Sequence, residues 1–220
     1  MDVVEELIRS SKLIFKNAEA NIYIGNLLGK RVVIKQRVYK KYRHPVLDKR
    51  LRRLRTYREV SIVYYLLNKG YRVPTPLFSS LKHSLIVFNF IDGRKLSEVL
   101  RSEKSIEKER LIYSLGGIIG GIHNEGIVHG DPNLTNFILS SREQEIYIID
   151  FGLSYWSSSP KDHALDLDVV RRSLQTVEAD NYETLFNIFL DGYQNIYKNF
   201  DELVSFFNKL VKMGRYHEYR

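Results

Sequence analysis

The chain has 220 residues, 44% of them apolar, enough to bury the core of one large domain or of two small lobes without covalent staples. It contains no cysteine, which excludes disulfides, thiolate zinc sites and iron–sulfur clusters and points to a reducing, cytoplasmic setting. The formal charge of +8 is concentrated in residues 30–60, which carry 13 Lys and Arg against Asp48 and Glu59 and so form a block that attracts phosphates.

The opening stretch MDVVEELIRS is acidic without an apolar core, and no apolar run reaches the ~18 residues of a membrane helix. A soluble protein with no membrane partner is expected. Leu13–Lys16, Asn21–Gly25 and Arg31–Gln36 are short runs, β-branched or aromatic, separated by polar or glycine positions, which predicts a small antiparallel sheet. From Asp48 to Asn68 the period changes. Leu47, Leu51 and Leu54, then Ile62, Val63, Leu66 and Leu67, fall on one helical face, and Gly70 supplies a stop. This long helix carries most of the arginines. VPTPLFSSL and SLIVFNFIDG read as a Pro-bounded strand pair, and Asp92 with Gly93 turns the chain, which places a lobe boundary between residues 1–92 and 93–220.

Beyond that boundary the pattern is mainly helical. Ser105–Asn124 carries Ile106, Leu111, Ile112, Leu115, Ile119 and Ile122 at helical spacing, and its Gly116, Gly117, Gly120 and Gly121 lower helix propensity while permitting close helix packing. Two short strands, Phe137–Leu139 and Glu145–Ile149, flank a turn at 140–144 and bring the 131–136 loop near Asp150. Helices follow near 162–178, 181–197 and 200–213. The expected fold class is α+β.

The chemistry lies in two stretches, IVHGDPNLTNFIL at 127–139 and IYIIDFGLS at 146–154. Moving a γ-phosphoryl group needs oxygen ligands for magnesium, a cation on the phosphates and a group oriented toward the nucleophile. Asp150, at a strand end before Phe151 and Gly152, suits the metal, and Asn136 adds an amide oxygen without further charge. Asp131 is then available to accept a hydroxyl proton or orient water. In the first lobe RVVIKQ ends an alternating strand with Lys35, and Glu59 follows 24 residues later on the long helix, where an ion pair would fix the ammonium. His123 and His129 read as a helix-end and a loop-bracing residue, since neither has a partner at metal-ligand spacing.

The ordered set of strand Lys35, helix Glu59, Asp131 with Asn136, and Asp150-Phe151-Gly152 matches the protein-kinase signature in order and roles. With His-Gly-Asp at 129–131 and KYRHPVLDKRLRRLRTYRE at 41–59, the chain resembles the small atypical kinases of the KEOPS complex, the PRPK-type family, from about Ala18 to Met213. The resemblance implies a reduced bilobal protein-kinase-like fold, with a small antiparallel sheet and long helix in the first lobe and a truncated, mainly helical second lobe. It implies an ATP- and Mg2+-dependent Ser/Thr kinase-like phosphotransferase or ATPase that supports a TsaD-like tRNA threonylcarbamoyltransferase, with other KEOPS subunits, in making threonylcarbamoyladenosine.

By the same motif match Lys35 holds the α and β phosphates, Glu59 anchors it, Asp131 is the catalytic base, and Asn136 and Asp150 bind magnesium. Ala18 and Glu19 of the phosphate-facing loop, with Asn89 and Ile91 after the hinge strand, fall at nucleotide-contacting positions. Asp166 matches the acid that braces the catalytic loop, with a helix amino-terminal charge as the other reading. The basic segment 30–60 is the expected tRNA contact. A short activation segment makes water or the protein itself the expected acceptor.

This sequence departs from the family pattern at Asn17, where a glycine is usual, at Pro132-Asn133 after His-Gly-Asp, and at Asn89 in place of the hinge acid. Its tail, KMGRYHEYR, is less basic than the family's, and Tyr216 and Tyr219 read as packed or frayed rather than as base-stacking. Two other readings remain: a small-molecule phosphotransferase of the aminoglycoside or choline kinase type, which shares the H-G-D-x-x-x-x-N loop, and a non-catalytic tRNA- or protein-binding module on a kinase-like scaffold.

Overall fold

In the computed structural model, which describes residues 3–16 and 19–218, the chain divides after Asp92 into two units. The first begins with α1 (Val3–Arg9), followed by β1 (Lys12–Lys16), β2 (Ala20–Leu27), β3 (Lys30–Arg37), α2 (Pro45–Asn68), β4 (Pro76–Ser80) and β5 (Leu85–Asn89). The five strands form an antiparallel sheet in the order β1-β2-β3-β5-β4, with β3 at its centre. Leu28 and Gly29, at φ 51° and 78°, close the β2–β3 hairpin with the double left-handed turn that matches strand twist.

Alternation along β3 sorts the unit into two faces. Val32 and Ile34 join Leu85 and Val87 of β5 and Val4 of α1 in one buried cluster, flanked by Leu7 and Ile8. The acidic opening stretch gives no helix signal of its own; Val4, Leu7 and Ile8, at i, i+3 and i+4, make it a helix by seating on the sheet. Lys35 and Arg37 point the other way, to Glu59 of α2.

That helix starts three residues before Asp48, because Pro45 at its first turn is already preset for helical φ. It ends as the sequence predicts at Gly70, φ 83°, where Tyr71 N donates to Leu66 O and Gly70 N to Leu67 O in a Schellman cap. Its buried face is Thr56, Glu59, Ile62, Val63 and Leu66.

The second unit opens with β6 (Gly93–Lys95) and α3 (Leu96–Ser102), then α4 (Ser105–Asn124), β7 (Ile127–Val128), a 3-10 turn (Leu134–Asn136), β8 (Phe137–Ser140), β9 (Ile146–Ile148) and β10 (Tyr155–Trp156). Three helices complete it: α5 (Pro160–Val177), α6 (Tyr182–Gln194) and α7 (Phe200–Glu218). Gly93, expected only to turn the chain, begins β6 and pairs against Ser140 of β8; a Cβ there would come within 2.3 Å of Leu139 O. The seven-residue α3 has too short a period to announce itself, and it forms because Leu96, Val99 and Leu100 are buried.

The glycines of α4 do allow close packing. A Cβ on Gly116 would stand 2.0 Å from Phe189 O of α6, and one on Gly192 of α6 would stand 2.0 Å from Tyr113 O of α4. The two backbones therefore touch, and Leu115, Ile119, Ile122, Leu167, Val170, Leu185 and Phe189 are all fully buried in this unit. Among the described residues no helix is long and apolar enough to cross a membrane.

Candidate active site

The first unit contributes a buried ion triad. Lys35 Nζ bonds Glu59 Oε1 at 2.7 Å and Arg37 Nη2 bonds Glu59 Oε2 at 2.5 Å, with none of the three residues more than 7% exposed. Alternation brings 35 and 37 to one face of β3, and helix phase brings Glu59 to meet them. Arg37 is absent from the sequence reading, although its i+2 spacing from Lys35 on a strand was the signal available. One carboxylate here serves two buried cations, so both depend on Glu59 for a countercharge.

The expected nucleotide-contacting positions of this unit are less uniform. Ala18 and Asn17 lie outside the described residues. Glu19 is engaged in ion pairs with Lys40 and, at 2.7 Å, with Arg55 of α2. Burial pushes its carboxyl upward, but the bond from Lys40 and the field of Arg55 outweigh this and hold it below the ordinary value. Asn89 ends β5 with its Oδ1 accepting from Thr75 N at 2.6 Å, and Ile91 is half-buried two residues on.

In the second unit the loop between β7 and the 3-10 turn is fixed by Asp166, which is buried in the second turn of α5. Its carboxylate accepts from His129 N at 2.7 Å and Gly130 N at 2.9 Å, which makes it a loop brace rather than a helix-end charge. Burial acts to raise its pKa; the His123 hydrogen bond and the charges and donors around it win, and Asp166 is held below the ordinary value. Gly130 has φ 82°, and a Cβ on it would lie 2.6 Å from Leu153 O, so glycine is required between the histidine and the acid.

Asp131 and Asn136 are then tied together. Asn136 Nδ2 donates to Asp131 O at 2.9 Å and to Asp131 Oδ2 at 3.1 Å, while Asn133 Nδ2 donates to Asp131 Oδ1 at 2.8 Å. With its NH2 committed to Asp131, Asn136 turns its amide oxygen the other way. Ile149 N donates to Asn136 O at 2.9 Å, continuing the Phe137–Ile148 pairing, and this bond brings the next residue, Asp150, beside Asn136. Asp150 is exposed at φ 64°, a conformation Asp tolerates, and its Oδ1 accepts from Gly152 N at 3.1 Å. A carboxylate and an amide oxygen carried by residues on neighbouring backbone positions are a donor pair that suits magnesium, which takes one or two protein oxygens and draws the rest from water and phosphate.

The histidines are structural, as their spacing suggests. His129 is fully buried against Phe151, 4.9 Å between ring centroids, and burial lowers its pKa despite Asp166, Asp150 and Asp131 nearby. His123 bonds Asp166 through Nε2 at 3.1 Å and Tyr193 through Nδ1 at 2.7 Å, which leaves neither nitrogen for a metal. Unforeseen in the sequence is His163, stacked on His123 at 4.2 Å with its nitrogens on Tyr197 Oη and Ser157 O. The stack continues the Asp166 brace into the segment after Asp150.

The basic segment is less free than its composition suggests. Lys35 and Arg37 are spent on Glu59, Lys40 and Arg55 on Glu19, and Arg52 on Asp48. Lys41, Lys49, Arg50, Arg53 and Arg58 remain exposed, interleaved with exposed Tyr42, Tyr57 and Tyr64. The side chains of Arg215, Tyr216, Tyr219 and Arg220 lie outside the described residues; Lys212 is exposed.

Residues 1–189 match the family model of the lipopolysaccharide kinase (Kdo/WaaP) family. Over 208 residues the chain is 33% identical to the EKC/KEOPS complex subunit bud32 of Dictyostelium discoideum, covering 92% of this chain and 82% of that one. Over 191 residues it is 34% identical to the KEOPS complex subunit Bud32 of Pyrococcus abyssi, covering 84% and 86%. It also matches a probable bifunctional tRNA threonylcarbamoyladenosine biosynthesis protein of Methanocaldococcus jannaschii at 31% identity, spanning 94% of this chain but only 37% of that longer protein. In three dimensions the Rio2 kinase of Chaetomium thermophilum, solved as an ADP/Mg2+-phosphoaspartate complex, superposes with a TM-score of 0.64 at 18% identity, covering 99% of this chain and 75% of that one, which gives the kinase fold. The chain therefore belongs to the lipopolysaccharide kinase (Kdo/WaaP) family and to the Bud32, PRPK-type, family of atypical kinases.

Proposed function

We propose that this protein is a Mg2+- and ATP-dependent phosphotransferase or ATPase working within a KEOPS-type complex, in the cytoplasm, in support of tRNA threonylcarbamoyladenosine formation. The observation that supports this reading is the arrangement of Asp131, Asn136 and Asp150, in which the Asn136 amide is committed to Asp131 and the backbone of Asn136 is bonded to Ile149, the residue before the exposed Asp150. Magnesium, when bound, supplies charge neutralisation at the phosphates. In this reading Asn136 and Asp150 hold it, and Lys35, aimed by Glu59, engages the α and β phosphates. Ala18, Glu19, Asn89 and Ile91 contact the nucleotide. Asp131 takes the proton of water or of an acceptor hydroxyl as its oxygen bonds the γ-phosphorus, and the bond to the β,γ-bridging oxygen breaks to release ADP.

The relatives' names support KEOPS subunits as partners, and in this reading a TsaD-like threonylcarbamoyltransferase is among them. The exposed arginines, lysines and tyrosines of α2 and the loop before it are the proposed tRNA contact, since cations track phosphates and rings stack on bases. The test is reconstitution with a TsaD-like subunit and tRNA. ATP turnover and modified adenosine are expected with the wild type and not with Asp131→Ala. Equal activity of both proteins would refute the catalytic assignment. Retained modification with no ATP turnover in either would favour the binding-module reading.

A further inference from the structure

Asn133 lies where this chain departs from the family pattern, two residues after Asp131, and the proposed reaction gives it no task. It precedes the 3-10 turn, and its Oδ1 accepts from Thr135 N at 2.9 Å and from the Thr135 hydroxyl. A backbone N–H can only donate, so the amide oxygen must face Thr135. The NH2 is thereby turned the other way, where it donates to Asp131 Oδ1 at 2.8 Å. Asn136 Nδ2 donates to the other carboxylate oxygen at 3.1 Å and to Asp131 O at 2.9 Å, both of them acceptors, so its orientation is fixed as well. The Asp131 carboxylate is held between two neutral amides, one N–H on each oxygen. The backbone around it is tied too: Leu134 N donates to Ser173 Oγ at 2.9 Å, and Asn136 N to Asn133 O at 2.9 Å. Pro132 disfavours a helical backbone at Asp131.

Capping alone does not account for asparagine at this position. Aspartate caps a turn equally well through the same oxygen, and what asparagine adds is an NH2 that donates while its oxygen accepts. A carboxylate free to rotate presents its lone pairs to an incoming hydroxyl in many directions, whereas one clamped on both oxygens presents them in one. We propose that Asn133 is a positioning residue for the phosphoryl transfer: its NH2 fixes the Asp131 carboxylate in the orientation that takes the acceptor's proton. This rests on the kinase reading above, in which Asp131 is the base. In that reading Asn133 touches neither nucleotide nor metal, so its contribution belongs to turnover and not to ATP binding.

The experiment is steady-state ATP turnover by the full chain with a TsaD-like subunit and tRNA, for wild type, Asn133→Asp and Asn133→Ala. Asn133→Asp keeps the cap but puts an oxygen where the NH2 stood, setting a second carboxylate against Asp131; Asn133→Ala removes cap and donor together. Both are expected to lower kcat about ten- to hundred-fold while the KM for ATP stays within about two-fold of wild type, with Asn133→Asp affected at least as much as Asn133→Ala. A capping role alone would leave Asn133→Asp at wild-type kcat, and that result overturns the proposal. So does wild-type kcat in Asn133→Ala, or a raised KM with kcat unchanged. Side-chain amide NMR of the isotope-labelled chain needs no turnover and no substitution at 133. There the Asn133 NH2 signals are expected to shift in Asp131→Ala, and signals that stay in place would overturn the bond itself. A wild type that turns over no ATP sinks the kinase reading and this proposal with it, whereas an active wild type with unchanged kinetics in both variants sinks this proposal alone.

Discussion

In the first unit Lys35 is 7% exposed and bonded at 2.7 Å to a glutamate that also binds Arg37, whereas in the second Asp131 is half-buried and Asp150 exposed, both held by amide or backbone N–H donors. The difference separates what each side chain contributes to folding from what it contributes to chemistry. Buried ions are mutually dependent, and removing one leaves another charged without compensation. A carboxylate that is not fully buried and is held by neutral N–H donors can be changed with less consequence for the fold.

The largest effects are expected where function and folding are most separable. Asp131→Ala and Asp150→Asn should each lower ATP turnover by roughly 10²–10⁴-fold while thermal melts stay close to wild type. Asn is chosen at 150 because it also tolerates a positive φ. A variant with a collapsed melting temperature would show that these acids belong to the fold after all. Glu59→Gln should do the opposite, costing about 3–5 kcal/mol in urea unfolding, since Lys35 and Arg37 would both lose a buried countercharge. Lys35→Met leaves Glu59 bonded to Arg37, so it should impair nucleotide binding more than stability. Equal destabilisation by the two substitutions would erase the contrast between the units.

A pH titration reaches the brace beneath the second unit's loop. His163 is held neutral, its pKa lowered to about 4 by burial first and by the stacked His123 second, against the pull of Asp166 and Asp162. The unfolded chain binds a proton here near pH 6.5 that the folded chain refuses until about 4, so stability is complete above 6.5 and falls as pH drops through that window. The loss should reach about 3 kcal/mol at the lower end, from the shift of roughly two and a half units. Chemical denaturation of wild type and His163→Gln at several pH values checks it. The variant should be less stable at neutral pH, having lost the stack, but its slope between pH 6.5 and 4 should be shallower. Equal slopes would place the acid sensitivity elsewhere.

Much of this arrangement is legible in the amino-acid order, and the reason differs between the units. Lys35, Glu59, Asp131, Asn136 and Asp150 stand out because each has a fixed place in a local pattern: a strand end, a helix phase, a five-residue loop interval. The helix Ser105–Asn124 is read to the residue because its apolar period runs for many turns. Arg37 and His163 go unnoticed because their partners are chosen by tertiary contact: Arg37 acquires Glu59 across 22 residues, and His163 meets His123 only when α4 and α5 pack. The helices α1 and α3 are missed because seven residues give too few turns for a period to show, and burial against neighbours makes them helical. Composition also overstates the free basic charge, since the pairing of Lys40 and Arg55 with Glu19 requires the chain to fold back on itself.

The smallest effects test how closely two helices of the second unit pack. Its longest contact is between α4 and α6, where backbone meets backbone, and two adjacent glycines of α4 differ sharply in what an added methyl group would meet. At Gly116 the new carbon would lie 2.0 Å from Phe189 O, which cannot move without displacing α6. At Gly117 the nearest atoms, Gly192 O and Ile196 Cγ1, are 3.6 Å away, an ordinary contact. Gly116→Ala should therefore destabilise by about 1–3 kcal/mol through overpacking. Gly117→Ala should stabilise by up to ~1 kcal/mol, because the helix gains propensity and the unfolded chain loses freedom. Paired urea titrations decide it. The sign change between neighbouring residues cannot come from helix propensity, which favours alanine at both, so it reports the distance between the two backbones directly.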